Sequence, residues 1–143
     1  MNHTIMGVIE SSDGHLAARW QSLTGKEVRI MITRSDEQSH SIREFMRGGA
    51  KYVEHTMLSS RLPDRVRIFN LLTLIPGASI GYHVHEDETE LFYFIEGNGR
   101  VQDDDACFDV SAGDCMATFS GHGHGVENTG DTNLVILACI VKD

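Results

Sequence analysis

The chain has 143 residues, 41% of them hydrophobic, which suffices for one domain with a packed core and leaves little room for a second. Twelve basic residues against 21 acidic ones give a formal charge of -9, so phosphate backbones and anionic lipid surfaces are repelled unless a local basic patch intervenes. None stands out, since Arg47-Gly48-Gly49 reads as a turn, and the expectation is no nucleic-acid and no membrane partner.

The first fifteen residues lack the basic-then-apolar pattern of a secretory leader, and no apolar run approaches the length that crosses a bilayer. Three cysteines (Cys107, Cys115 and Cys139) are an odd number without CxxC spacing, which argues for a reducing, cytoplasmic setting.

Residues 1–50 read as an N-terminal extension that packs on the main domain or on a partner subunit. Within it, residues 15–23 place Leu16, Trp20 and Leu23 on one helical face and predict a short helix. Residues 28–33 predict a strand, and Ser41-Ile42-Arg43-Glu44 has the form of a capping box opening another helix.

From residue 51 to 143 the pattern is short strands cut by turn signals. Residues 65–74 form an apolar run that stops before Ile75-Pro76-Gly77, a type II turn signal. Residues 91–95 predict a strongly apolar strand, followed by Gly97-Asn98-Gly99, which suits a tight hairpin. Strands at 100–102 and 106–110 flank Asp103-Asp104-Asp105, a hairpin tip rather than a calcium loop. Further strands fall at 115–119, 124–127 and 134–141. Such spacing predicts an all-β sandwich or barrel.

The chemically informative stretch runs from Gly77 to Gly97. His83 and His85 lie two apart on a strand and share a face, so both imidazoles can reach one ion. A return through a hairpin brings Glu90 opposite them, and His124, in a second glycine-rich turn, supplies a fourth donor. Three imidazoles and a carboxylate suit one divalent transition metal (manganese, iron, nickel or zinc) and leave positions open on an octahedral ion.

These residues are similar to the two signature motifs of the cupins. The pattern G(X)5HXH(X)4E(X)6G is matched by Gly77, His83, His85, Glu90 and Gly97. The pattern G(X)5PXG(X)2H(X)3N is matched by Gly113, Gly121, His124 and Asn128, with Phe119 in place of the usual proline. The resemblance implies a double-stranded β-helix, or jelly-roll barrel, with a metal inside it and often a homodimer. It is nearest to small single-domain cupins resembling mannose-6-phosphate isomerase or oxalate decarboxylase.

Other polar residues carry weaker signals. His122 is an exposed loop histidine, with a substitute ligand, a partner of the metal shell or a proton shuttle as the alternatives. Glu86, Asp87 and Glu88 form a solvated acidic loop at the barrel mouth, one of which could assist as a general base if the loop folds inward. His40 and His55 are expected at the surface and Cys115 in the interior. Phe92 and Phe94 share the inward face with Glu90, leaving Leu91 and Tyr93 on an outer face that needs cover. Asn70, on the preceding strand, is a candidate ligand contact, and Asn128 stabilises the turn before Gly130. No catalytic acid or base is identified. The expected function is an enzyme acting on a small oxygen-rich metabolite, as dioxygenase, decarboxylase or isomerase. The alternative is a non-catalytic binding or sensing module.

Overall fold

The computed structural model describes residues 7–12, 15–21 and 27–143. The chain divides into two compact units, Met1–Glu37 and Gln38–Asp143. In the first, β1 (Gly7–Ser12), β2 (His15–Gln21) and β3 (Glu27–Met31) form an antiparallel sheet in chain order. The expected helix at 15–23 is therefore a strand over His15–Gln21, while Ser22 and Leu23 lie outside the described residues. β2 bonds on both edges, to β1 and β3, and this pairing overrides the local apolar spacing.

The second unit is two antiparallel sheets closed over one core. The six-stranded sheet has the order β11–β8–β13–β6–β5–β4. Its members are β4 (Ser39–Glu44), β5 (Tyr52–Met57), β6 (Val66–Leu74), β8 (Glu88–Glu96), β11 (Cys115–Thr118) and β13 (Leu134–Lys142). The four-stranded sheet, ordered β10–β9–β12–β7, contains β7 (Ser79–Val84), β9 (Asn98–Asp103), β10 (Ala106–Ser111) and β12 (Gly123–Asn128). This is the all-β jelly-roll barrel that the motifs imply.

One element differs in kind. Ser41–Glu44, the expected capping box, lies inside β4, paired with β5 from Ser39↔Met57 to Glu44↔Tyr52. Ladder bonds to a neighbouring strand satisfy the backbone that a helix would otherwise have served. A single 3-10 turn, Met46–Gly48, then leads into β5.

Alternation along the strands builds the core. Val53 on β5, Leu72 and Leu74 on β6, Phe92 and Phe94 on β8, and Ile136 and Ala138 on β13 all point inward, against Ile80, Val101 and Val126 of the other sheet. Burying each of the larger side chains contributes about 1.5–3 kcal/mol. Leu91 and Tyr93 alternate with the buried Phe92 and Phe94 and face outward, as expected, and Ile95 is exposed beside them.

The turns follow their residues. Ala78 N–H donates to Ile75 O at 2.9 Å around Gly77, whose φ of 73° supplies the left-handed step of a type II turn. Asn128 is buried; its amide donates to Leu74 O and Thr132 O, both at 2.8 Å, and its carbonyl oxygen accepts from Gly130 N–H at 2.9 Å.

Candidate metal centre

β7 and β12 are neighbours, and their register sets His83 directly across from His124. His85 follows β7 by one residue, anchored by His85 N–H to His122 O at 3.0 Å and by Gly121 N–H to His85 O at 2.7 Å. Glu90 comes from the opposite sheet, on β8, where Thr118 of β11 is its ladder partner. The four donors thus arrive from both walls of the barrel. One ligand atom from each lies within 4.8 Å of all the others.

The three rings are orientated alike. His83 Nδ1–H donates to Gly81 O at 2.9 Å, His85 Nδ1–H to Glu88 Oε1 at 2.9 Å, and His124 Nδ1 meets Thr118 Oγ1 at 2.6 Å. With Nδ1 so engaged, each ring turns the Nε2 lone pair inward. The Nε2 atoms of His83, His85 and His124 lie 3.9, 3.0 and 2.9 Å from Glu90 Oε2.

Two of them, on His85 and His124, are buried without a hydrogen-bond partner, since an Nε2 lone pair and a carboxylate oxygen are both acceptors with no proton between them. A buried polar atom without a partner costs about 1–3 kcal/mol. A metal ion removes that cost: donors bonded at about 2.1 Å and adjacent on an octahedron stand about 3 Å apart. Burial pushes the His83 imidazole below its ordinary pKa, the first requirement of a nitrogen that must bind as the free base. The residues fit an ion.

Beyond the donors, Glu88 is the busiest residue. Arg67 Nε and Nη2 donate to its two oxygens, each at 2.6 Å, and His85 Nδ1–H shares one of them. The Arg67 hydrogen bonds hold the carboxyl down at about 2. Glu88, expected in a solvated loop, is instead the brace of a metal-type histidine; its neighbours Glu86 and Asp87 are exposed.

His122 is not part of the cluster. Its Nδ1–H donates to Asp104 Oδ2 at 2.6 Å, in an exposed pair that also takes Tyr82 O–H at 3.0 Å and Gly123 N–H at 2.9 Å. The His122 bond, first among these, lowers the Asp104 carboxyl to about 2.

Three of the donors, His83, His85 and Glu90, form the floor of a cleft of about 620 Å³, with His124 buried behind them. Its lining includes Asn70, which is inward as expected, together with His55 of β5 and three arginines: Arg43, Arg47 and Arg67. His55 is buried, contrary to the expected surface position, because it alternates with Val53 on the inner face of β5. Its Nε2 lies 3.3 Å from Met46 Sδ, and burial, followed by the nearby Arg43, holds it below the usual imidazole pKa. The period-two spacing of Val53 and His55 was a signal for this, and the arginines had none. Cys115 is exposed rather than interior, since it pairs with Tyr93 on the outward face.

A family model described as a cupin domain matches residues 70–140, which hold all four donors. The oxalate-binding protein of Thermotoga maritima is 38% identical over 118 residues, 81% of this chain and 98% of the relative. The chain is a cupin. A crystal structure of a predicted oxalate decarboxylase from Thermotoga maritima superposes with a TM-score of 0.75 at 38% identity, covering 79% of this chain and 100% of that one. The cupin domain of Cnp3 from Schizosaccharomyces pombe reaches 0.67 at 11% identity, over 90% and 88% of the two chains, and shows the shared fold alone.

Proposed function

We propose that this cupin binds one divalent transition metal through His83, His85, Glu90 and His124, and acts as an enzyme on a small carboxylic acid held at that ion. One observation carries the reading. His83, His85 and Glu90 line a cleft that also presents Arg43 and Arg47, in a chain of net charge -9. With Arg67 paired to Glu88, these two arginines balance Glu44 and Glu90, so a bound divalent ion would give the recess a positive charge that draws in a small anion, while its size excludes large polyanions. The oxalate-binding relative supports an acid whose adjoining oxygens chelate.

When bound, the ion polarises the carboxylate and any neighbouring oxygen as a Lewis acid. The chain supplies the rest. Thr118, Gly81 and Glu88 orient the three rings, Arg67 fixes Glu88, and Phe92, with its ring 5.0 Å from that of His124, keeps water from the barrel side. Glu44 and His55 in the lining are the groups able to exchange a proton with a bound acid.

Metal content per chain, followed by calorimetric titration of oxalate into loaded and chelator-stripped protein, tests this. About one equivalent of metal, and binding only when loaded, is the expected result; absence of uptake would overturn it. Carbon dioxide, formate or oxygen consumption then separates decarboxylation from oxygen chemistry.

A second reading, non-catalytic binding, is favoured by one feature: Glu44 is exposed and His55 has one ring nitrogen turned to a thioether, so neither is braced as a catalytic acid. Tight binding without product would decide for it. A homodimer belongs to the same proposal, supported by the exposed Leu91, Tyr93 and Ile95, and is checked by sedimentation.

A further inference from the structure

Of the three arginines in the cleft, only Arg67 is spent on the protein itself, locked to Glu88. Arg43 and Arg47 line the same cleft, are exposed, and their guanidinium groups have no hydrogen-bond or ion-pair partner among the described residues. Arg43 stands on β4, in register with Val53. Arg47 sits in the turn beyond it.

That turn is costly and firmly held. Phe45, Arg47 and Lys51 have φ of 48°, 53° and 58°, in the left-handed region that side chains with a Cβ avoid at about 1–3 kcal/mol each. Phe45 N–H donates to Lys51 O at 2.7 Å, and Ala50 N–H to Ser79 Oγ at 2.8 Å, while Ser79 N–H returns to Ala50 O at 3.0 Å. Backbones touch where glycines allow it. A Cβ on Gly81 would lie 2.1 Å from Arg47 O, and one on Gly49 would lie 2.1 Å from Ser79 O. The segment is therefore fastened to β7, the strand that carries His83, and the backbone from which the Arg47 side chain springs is held against that strand.

Size completes the case. Oxalate fills the space of two or three waters, at about 30 Å³ each. It would occupy a small part of a 620 Å³ cleft and would leave both free guanidinium groups without an anion.

We infer that the ligand is a di- or tricarboxylic acid with a carbon backbone longer than that of oxalate, chelating the metal at one end and placing a second carboxylate on Arg43 and Arg47. The inference rests on the reading that the cleft holds an acid on a metal. Two carboxylates separated by a short carbon chain match a metal floor and a cationic rim, and planar guanidinium groups take a carboxylate through paired hydrogen bonds.

Calorimetric titration of metal-loaded protein with oxalate, malonate and malate, with metal content assayed after each run, tests it. Malate is expected to bind at least about tenfold more tightly than oxalate. Arg43→Gln/Arg47→Gln is expected to weaken malate about a hundredfold while moving oxalate less than about threefold. Arg47→Gly removes the guanidinium together with the left-handed strain; it is expected to fold at least as stably and still lose about tenfold for malate.

Oxalate binding as tightly as malate, or malate affinity unchanged in these variants, overturns the inference while leaving the metal-acid reading in place. Binding of none of the three acids by loaded protein overturns both.

Discussion

At and just behind the floor of the cleft, His83, Glu90 and His124 stand on strands and His85 directly follows one, and the three rings are steered by neighbours on the same scaffold. At the rim, residues 45–51 leave regular structure, take three left-handed non-glycine conformations, and present Arg47 without a partner. The floor is set by register and the rim by backbone contact with β7. Chemistry common to a fold can therefore stay on the sheets, while selection of a ligand moves to a turn that a few residues can reshape.

The largest expected effect breaks the floor. His83→Ala/His85→Ala should abolish stoichiometric metal while the barrel stays folded, since the core of Phe92, Phe94, Leu74 and Ile136 lies outside the donor set. Elemental analysis beside a thermal melt checks it, and full metal retention would sink the site assignment. His85→Ala also removes a buried Nε2 that has no partner, so the apo protein should lose little stability.

Breaking the rim should look different. Gly81→Ala drives a Cβ into the carbonyl of Arg47 and should cost about 1–3 kcal/mol in chemical denaturation, as overpacking does. The displaced turn should lower acid affinity with metal still bound. Loss of metal together with acid would mean that floor and rim are not separable.

These two regions also differ in how far the sequence betrays them. His83, His85, Glu90 and His124 are visible because strand alternation and spacing between glycines are local rules, and each donor type is chemically distinctive. Arg43 and Arg47 are invisible by the same rules. Ser41–Glu44 scores as a helix start, yet pairing with β5, a long-range contact, makes it a strand. The left-handed turn depends on Gly49 and Gly81, thirty-odd residues apart in sequence, each lying against the backbone of the other's segment. His15–Gln21 fails in the same way: a helical spacing of apolar residues is outvoted by two neighbouring strands.

Glu88→Gln probes the joint between floor and rim. It removes the charge that Arg67 grips and weakens the acceptor of His85 Nδ1–H, so metal affinity should fall about 10–100-fold in competition with a chelating dye. The sign with pH follows from a carboxyl lowered from 4.5 to about 2. Its contribution to the folded state is fully present above 4.5 and is lost as the pH falls through about 2. The stability difference between the metal-free wild type and Glu88→Gln should therefore narrow on acidification through that window, and a constant difference would remove the ionic account.

The smallest effect is expected at Phe119, where the cupin pattern usually has proline. The turn here closes by His122 N–H donating to Phe119 O at 3.1 Å, with Gly121 at φ 86° in the third position. That is a type II arrangement in which residue 119 contributes a carbonyl, which proline has equally. Gly121 N–H and His122 O then tie the turn to His85, independently of the side chain at 119. Phe119 is exposed and its N–H appears in none of these bonds. Phe119→Pro should accordingly shift stability by less than about 1 kcal/mol, upward if the ring suits the local φ, and leave metal content unchanged. Loss of metal in that variant would show that the side chain of residue 119 helps to place His124.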